Sequence, residues 1–252
     1  MIRYLFRNLF LSLILTLGFF RLDAQQIGIH GGLSLPDLRG ATQQQQTVLS
    51  RQDGYYGFFL SFRLKNLLSI QADLNYCGEG GISSGIQQVF GDNLKAFPPS
   101  DTLYANYESH TILHYLEVPV VARITWGNQV RYFLEGGIFT GYLVDARQVN
   151  NGGGGLYKDP GGKIPAVLKP GETPFSPAVL NSNSNIYNRI NTVNFGLTGG
   201  GGMSYKIGRN EIYLELRISE GMQGIYRDQA QFGKYKTGNV TVSFGYAFLL
   251  TK

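Results

Sequence analysis

The sequence predicts an all-β fold: an eight-stranded, antiparallel, up-and-down transmembrane β-barrel with short periplasmic turns and long extracellular loops. Three observations predict it. Apolar residues recur at every second position in eight runs of about ten residues. The connections alternate between tight polar turns and long loops. Charged residues make up only 15% of the 252, while Gly contributes 34 and Tyr and Phe 16 each. That balance excludes disorder, which needs high charge and low hydrophobicity. A helical membrane bundle is excluded because it needs several apolar runs of about 20 residues, and none follows the N-terminus.

Residues 1–24 read as a signal peptide and 25–252 as one barrel domain. Arg3 and Arg7 form a basic start, and Leu9–Phe20 is apolar apart from Ser12, Thr16 and Gly18. That stretch suits a secretory core and is short for a membrane span. Ala24 before Gln25 offers a cleavage point, and no Cys follows to carry a lipid. Cleavage removes three positive side chains and one negative one, taking the formal charge from +5 to about +3. This mild charge argues against nucleic acid as a partner. Cys77 is the single cysteine, so no internal disulfide can form.

The eight runs follow in order. The first places Ile27, Ile29, Leu33 and Leu35 on one face; the second places Tyr56, Phe58, Leu60, Phe62 and Leu64. The third uses Leu68, Ile70, Ala72, Leu74 and Tyr76, and the fourth Leu116, Val118, Val120, Ala122, Ile124 and Trp126. Val130, Tyr132, Leu134, Ile138 and Tyr142 mark the fifth; Val193, Phe195, Leu197, Met203, Tyr205 and Ile207 mark the sixth. The seventh carries Ile212, Leu214, Leu216 and Ile218, and the eighth runs from Val240 to Leu250. Runs of this length cross a bilayer at a tilt. Tight turns fall at Lys65-Asn66, Gly127-Asn128 and Gly208-Arg209. Long loops are expected at 36–53, 78–111, 146–191 and 221–238, and they hold eight of the nine Pro, Pro36 among them. The stretch from Asn150 to Gly155 reads as loop.

The apolar face is expected to meet lipid. The opposite face carries Arg63, Arg123, Arg131, Lys206 and Arg217 against Asp73, Glu117, Glu135 and Glu215, a nearly balanced set that can pair across a narrow lumen. Gly residues on that face, such as Gly28, Gly57, Gly141 and Gly202, leave room for long side chains. Aromatic residues gather at both ends of the apolar face: Tyr56, Tyr76 and Tyr142 towards the long loops, Trp126, Tyr132, Tyr205 and Phe248 towards the short turns. Two such bands suit two membrane interfaces.

The fourth run, Tyr115-Leu116-Glu117-Val118-Pro119-Val120 followed by Arg123, resembles the Tyr-Leu-Glu-Ile-Pro strand of the PorT-like outer-membrane barrels of the Bacteroidetes envelope. Gly136-Gly137, the glycines of 199–202 and Phe244-Gly245-Tyr246 fit the same family. The resemblance spans about residues 25–252 and implies an eight-stranded outer-membrane barrel. Its founding member assists type IX secretion, a role this chain shows no specific motif for. Pro119 deletes a ladder hydrogen bond, and a bulge there is the expected remedy.

No metal motif of the HxH, HExxH or CxxC type occurs, and Gly152–Gly155 is not a phosphate loop, because no Lys-Ser/Thr pair follows it and no helix begins there. No catalytic residue, cofactor or metal is therefore expected. His114 is placed on the lipid-facing side, near the outer end, without a recognisable Ser partner. Cys77 is expected to be an inert buried thiol. The function expected is structural or interactive: loop presentation, or docking to an envelope complex, with the lumen plugged by side chains. The alternatives are a small pore or transporter, and an outer-membrane enzyme. The partners expected are outer-membrane lipid and envelope or secretion-complex proteins, with both termini in the periplasm.

Overall fold

The computed structural model describes residues 26–40, 46–89, 103–166 and 181–250. The expected signal peptide, 1–24, lies outside these residues, as do residues 167–180 of the loop expected at 146–191. The strands are β1 (Gln26–Gly40), β2 (Gln46–Leu49), β3 (Asp53–Arg63), β4 (Leu68–Gln88) and β5 (Tyr104–Gly127). They continue with β6 (Val130–Tyr157), β7 (Ser182–Asn185), β8 (Val193–Ile207), β9 (Asn210–Gly221) and β10 (Tyr235–Leu249). A short helix, α1 (Gln229–Phe232), precedes β10.

Eight strands close a ring in the order β1-β3-β4-β5-β6-β8-β9-β10, all antiparallel. These are the eight alternating runs of the sequence. Closure leaves no open ladder around the ring, as hydrocarbon surroundings require. Gly127 and Gly208 adopt φ of 103° and 62° in two of the tight turns, a conformation that glycine takes without a Cβ clash.

Side-chain parity is inverted relative to a water-soluble barrel. Leu134 and Ile138 are 61% and 63% exposed, while Glu215 and Arg217 are 2% and 3% exposed. The outward surface is thus a continuous apolar belt, and the polar face is the interior.

Several expected loops are strand instead. β4, β5 and β6 have 21, 24 and 28 residues, against roughly ten for a bilayer crossing. Gly78–Gln88 pairs with Tyr104–His114, and Asn150–Gly155 belongs to β6. The three strands rise above the ring as a blade. β2 pairs with Ile82–Gly85 on one edge and β7 with Arg147–Asn150 on the other, which blunts edges that would otherwise recruit foreign strands. The period-two signal fades here because the apolar filling of the blade is confined to a small cluster of Val89, Leu103, Ala105, Tyr107, Leu156 and Ala166.

Two prolines also depart from expectation. Pro36 lies within β1, opposite Asn239. Its carbonyl accepts from the Arg51 amide at 3.0 Å, on the side where β1 has already left its ladder with β3, whose last pair is Ser34↔Asp53. The absent N–H therefore breaks no rung. At Pro119 there is no bulge: Val118–Val120 stay in register with Ile138–Thr140. The β4–β5 ladder stops at Ala72↔Val120 and resumes at Asn75↔Glu117 without slipping. Omitting two rungs absorbs the missing donor. The register of β5–β6 shifts higher up, between Ala105 and Tyr107 and again where His114 pairs with Asp145 and Tyr115 with Leu143, leaving Val144 as the extra residue.

Candidate functional site

An eight-stranded lumen is only wide enough to be filled by side chains, and here it is filled in layers. At the short-turn end a cavity of about 130 Å³ is lined in part by Arg63, Arg131, Glu211 and Tyr213 and reaches Arg123. Arg131 Nη1 lies 3.5 Å from Glu211 Oε2.

Above this cavity sits an ionic knot. Arg123 Nη2 is 2.6 Å from Glu135 Oε2 and 2.7 Å from Glu215 Oε2. Its guanidinium lies over the Phe133 ring, 4.1 Å from the centroid, a cation–π contact. Arg217 reaches Asp73 Oδ2 at 2.7 Å and Glu135 Oε1 at 2.8 Å, and its Nη2 makes an ion contact with Glu215 Oε1 at 3.0 Å. Gln71 donates to Asp73 Oδ1 at 2.8 Å. Asn75 donates to the Tyr55 hydroxyl at 2.7 Å and faces His30 Nε2 at 2.9 Å, while His30 Nδ1 meets the Tyr213 hydroxyl at 3.0 Å. Glycines make the space: a Cβ on Gly28 would fall 2.3 Å from the Phe59 ring, and one on Gly202 would fall 2.6 Å from Phe133.

The expected lumen set is thus divided by level. Asp73, Arg123, Glu135, Glu215 and Arg217 meet in the knot. Arg131 pairs below it with Glu211, a residue the sequence reading did not single out. Arg63 and Lys206 lie at the short-turn rim and make no ion pair among the described residues. Water reaches that rim, so charges there need no partner. Glu117 lies above the knot, next to Cys77 and Glu79. Glu79 was also missed, although it continues the inward series Asp73, Asn75, Cys77. An apolar lid of Leu38, Leu113, Tyr115, Leu143, Ile186, Ile190, Ile225 and Tyr226 then seals the top. Burial pushes the Tyr226 hydroxyl above its usual range. In the β6 hairpin tip, three backbone amides donate to Asp159, that of Ile164 at 2.6 Å, and hold its carboxyl below the usual range.

The outward aromatics form two groups. Tyr56 stacks on Tyr76 at 6.1 Å, near exposed Tyr142; Trp126 lies 6.4 Å from Tyr132, with Tyr205 and Phe248 exposed at the same end. Beside Tyr76, on the outward face, stands His114, its ring 5.3 Å away. His114 Nε2 is 3.2 Å from Asp53 Oδ2 and its Nδ1 is 3.5 Å from Asp145 Oδ2. Arg51 Nη2 lies 2.6 Å from Asp53, and Arg147 Nε 3.1 Å from Asp145. The bulge at Val144 turns Asp145 outward, as bulges re-aim side chains. Gly78 lets Asp53 cross its strand, since a Cβ there would lie 2.2 Å from Asp53 Oδ2. No Ser or Thr hydroxyl is hydrogen-bonded to His114 among the described residues.

A family model described as "Outer membrane protein beta-barrel domain" matches residues 23–227. No curated protein matches the chain. Among solved structures, Neisserial surface protein A is similar at 12% identity and a TM-score of 0.41, over 89% of this chain and 97% of that one. Ail, the attachment invasion locus protein of Yersinia pestis, is similar at 9% identity and a TM-score of 0.36, over 89% and 99%. The outer membrane enzyme PagL is similar at 14% identity and a TM-score of 0.32, over 86% and 99%.

Proposed function

The chain belongs to the outer membrane protein beta-barrel domain family, and from that membership we propose that it is a closed, non-conducting barrel that works by interaction. In this reading the short turns and both termini face the periplasm, and the blade and long loops face outward. The chain then acts by presenting that blade or by docking to an envelope complex, as a PorT-like protein of a Bacteroidetes envelope would. One observation carries the reading: the ionic knot and the apolar lid fill the lumen at successive heights. A filled lumen offers no continuous water path, so transport through it is disfavoured.

Planar-bilayer recording tests this. Folded protein, verified by the gel-mobility shift on heating, is expected to give no steps of conductance. Regular open-channel steps would overturn the reading in favour of a small pore.

A second reading has one specific observation behind it, the His114 cluster. An imidazole clasped between two carboxylates beside the outer aromatic band is placed to meet lipid headgroups. We read it as an anchor rather than a centre of covalent catalysis, because no Ser or Thr hydroxyl is hydrogen-bonded to the imidazole among the described residues. Turnover of lipid A or of a peptide by purified protein, lost in His114→Ala, would replace the non-enzymatic reading.

A further inference from the structure

We propose that Cys77, Glu79 and Glu117 bind one divalent transition-metal cation of the borderline-soft class that zinc represents, inside the upper lumen. Cys77 and Glu79 point inward from β4, two residues apart. Glu117 comes from β5, where it pairs with Asn75. The three are 2%, 1% and 4% exposed. One ligand atom from each lies within 4.8 Å of the others. In a tetrahedral zinc site the ligand atoms sit about 3.3–3.8 Å apart, so side-chain rotations of about 1 Å complete the geometry.

Two features point to a ligand rather than to a packed polar core. The first is unmet demand. Glu117 accepts no hydrogen bond among the described residues, and its Oε1 is buried without a partner; so is Glu79 Oε2. Neither carboxylate is in an ion pair, and the guanidiniums of Arg123 and Arg217 are engaged with Asp73, Glu135 and Glu215. Two unpaired carboxylates buried side by side are costly unless a cation or a shared proton offsets them. The second is the direction of Asn239. Its Oδ1 accepts from Ser34 Oγ at 2.9 Å, which aims Nδ2 at Cys77 Sγ, 3.2 Å away, at Glu79 Oε1, 3.0 Å away, and at the Gly78 carbonyl, 3.2 Å away. A donor shared by sulfur and carboxylate favours the deprotonated form of both, as outer-shell groups do at metal sites.

One thiolate with two carboxylates suits zinc or its neighbours better than magnesium or calcium, which prefer oxygen alone. Water completes the coordination. Binding replaces three metal–water bonds with one metal–sulfur and two metal–oxygen bonds, releases to solvent the thiol proton and the proton the two carboxyls share without metal, and changes no oxidation state. Affinity is therefore expected to rise with pH. Gly141 keeps the pocket open, because a Cβ there would stand 3.2 Å from Glu117 Cγ. The apolar lid lies above, so the cation enters during folding or by lid opening.

The test uses the full chain, stripped with chelator and refolded in detergent with zinc, or with cobalt(II) as the coloured probe. One equivalent of metal is expected to survive gel filtration, with a thiolate-to-cobalt charge-transfer band. Cys77→Ser is expected to abolish the band, and Glu117→Gln to weaken retention about tenfold or more. Both variants are scored only on material showing the folded gel mobility. If a variant does not fold, the wild-type spectrum and stoichiometry decide alone. Folded wild type without the band, or metal retention unchanged in both variants, would overturn the proposal.

Discussion

Arg217 touches three carboxylates from three different strands, and each contact is nearly out of reach of water. Buried ion networks add little net stability over apolar packing, but removing one partner strands the others. Arg217→Met is therefore expected to cost about 3–5 kcal/mol, because Arg123 alone would face Asp73, Glu135 and Glu215. A urea titration of the folded barrel, followed by tryptophan fluorescence of Trp126, checks this. An unchanged midpoint would mean that the knot is not the keystone of the lumen. At this scale the sequence was legible in one respect: strand parity shows which of these residues face inward. It was silent on who pairs with whom. Arg131 meets Glu211 and Glu117 meets Cys77 because of inter-strand stagger, which residue order does not encode.

Pro119 shows how an element tolerates a broken rule. The β4–β5 ladder drops two rungs opposite it and keeps its register. Pro119→Val restores a donor at a ladder position. The expected gain is at most about 1 kcal/mol, with slower amide exchange at neighbouring Val120. Faster exchange there would show that the gap is built into the strand twist rather than caused by the proline. The eight ring strands were legible because lipid on one side and polar filling on the other enforce strict alternation. The upper halves of β4, β5 and β6 were not legible, since their surroundings impose no such contrast. The four-residue strands β2 and β7 were invisible for a further reason. Sequences such as Ser182-Asn183-Ser184-Asn185 have loop composition and are strand only because an edge of the blade holds them.

For the molecule as a whole, the inverted parity sets what each surface tolerates. Ile138 lies midway between the two aromatic groups on β6 and faces outward. Ile138→Arg is expected to cost about 2–4 kcal/mol when the barrel is folded into lipid vesicles. The same substitution would be harmless if that belt met water, so a neutral result in vesicles would overturn the lipid orientation. The ring also has a seam. β1 and β10, the first and last strands of the cylinder, pair along all fifteen residues of β1. Until Tyr235–Leu249 is in place, Gln26–Gly40 and Asn210–Gly221 each lack one neighbour. The wall therefore closes only when its two most distant strands in sequence meet, and any partly assembled arc carries two unpaired flanks until they do.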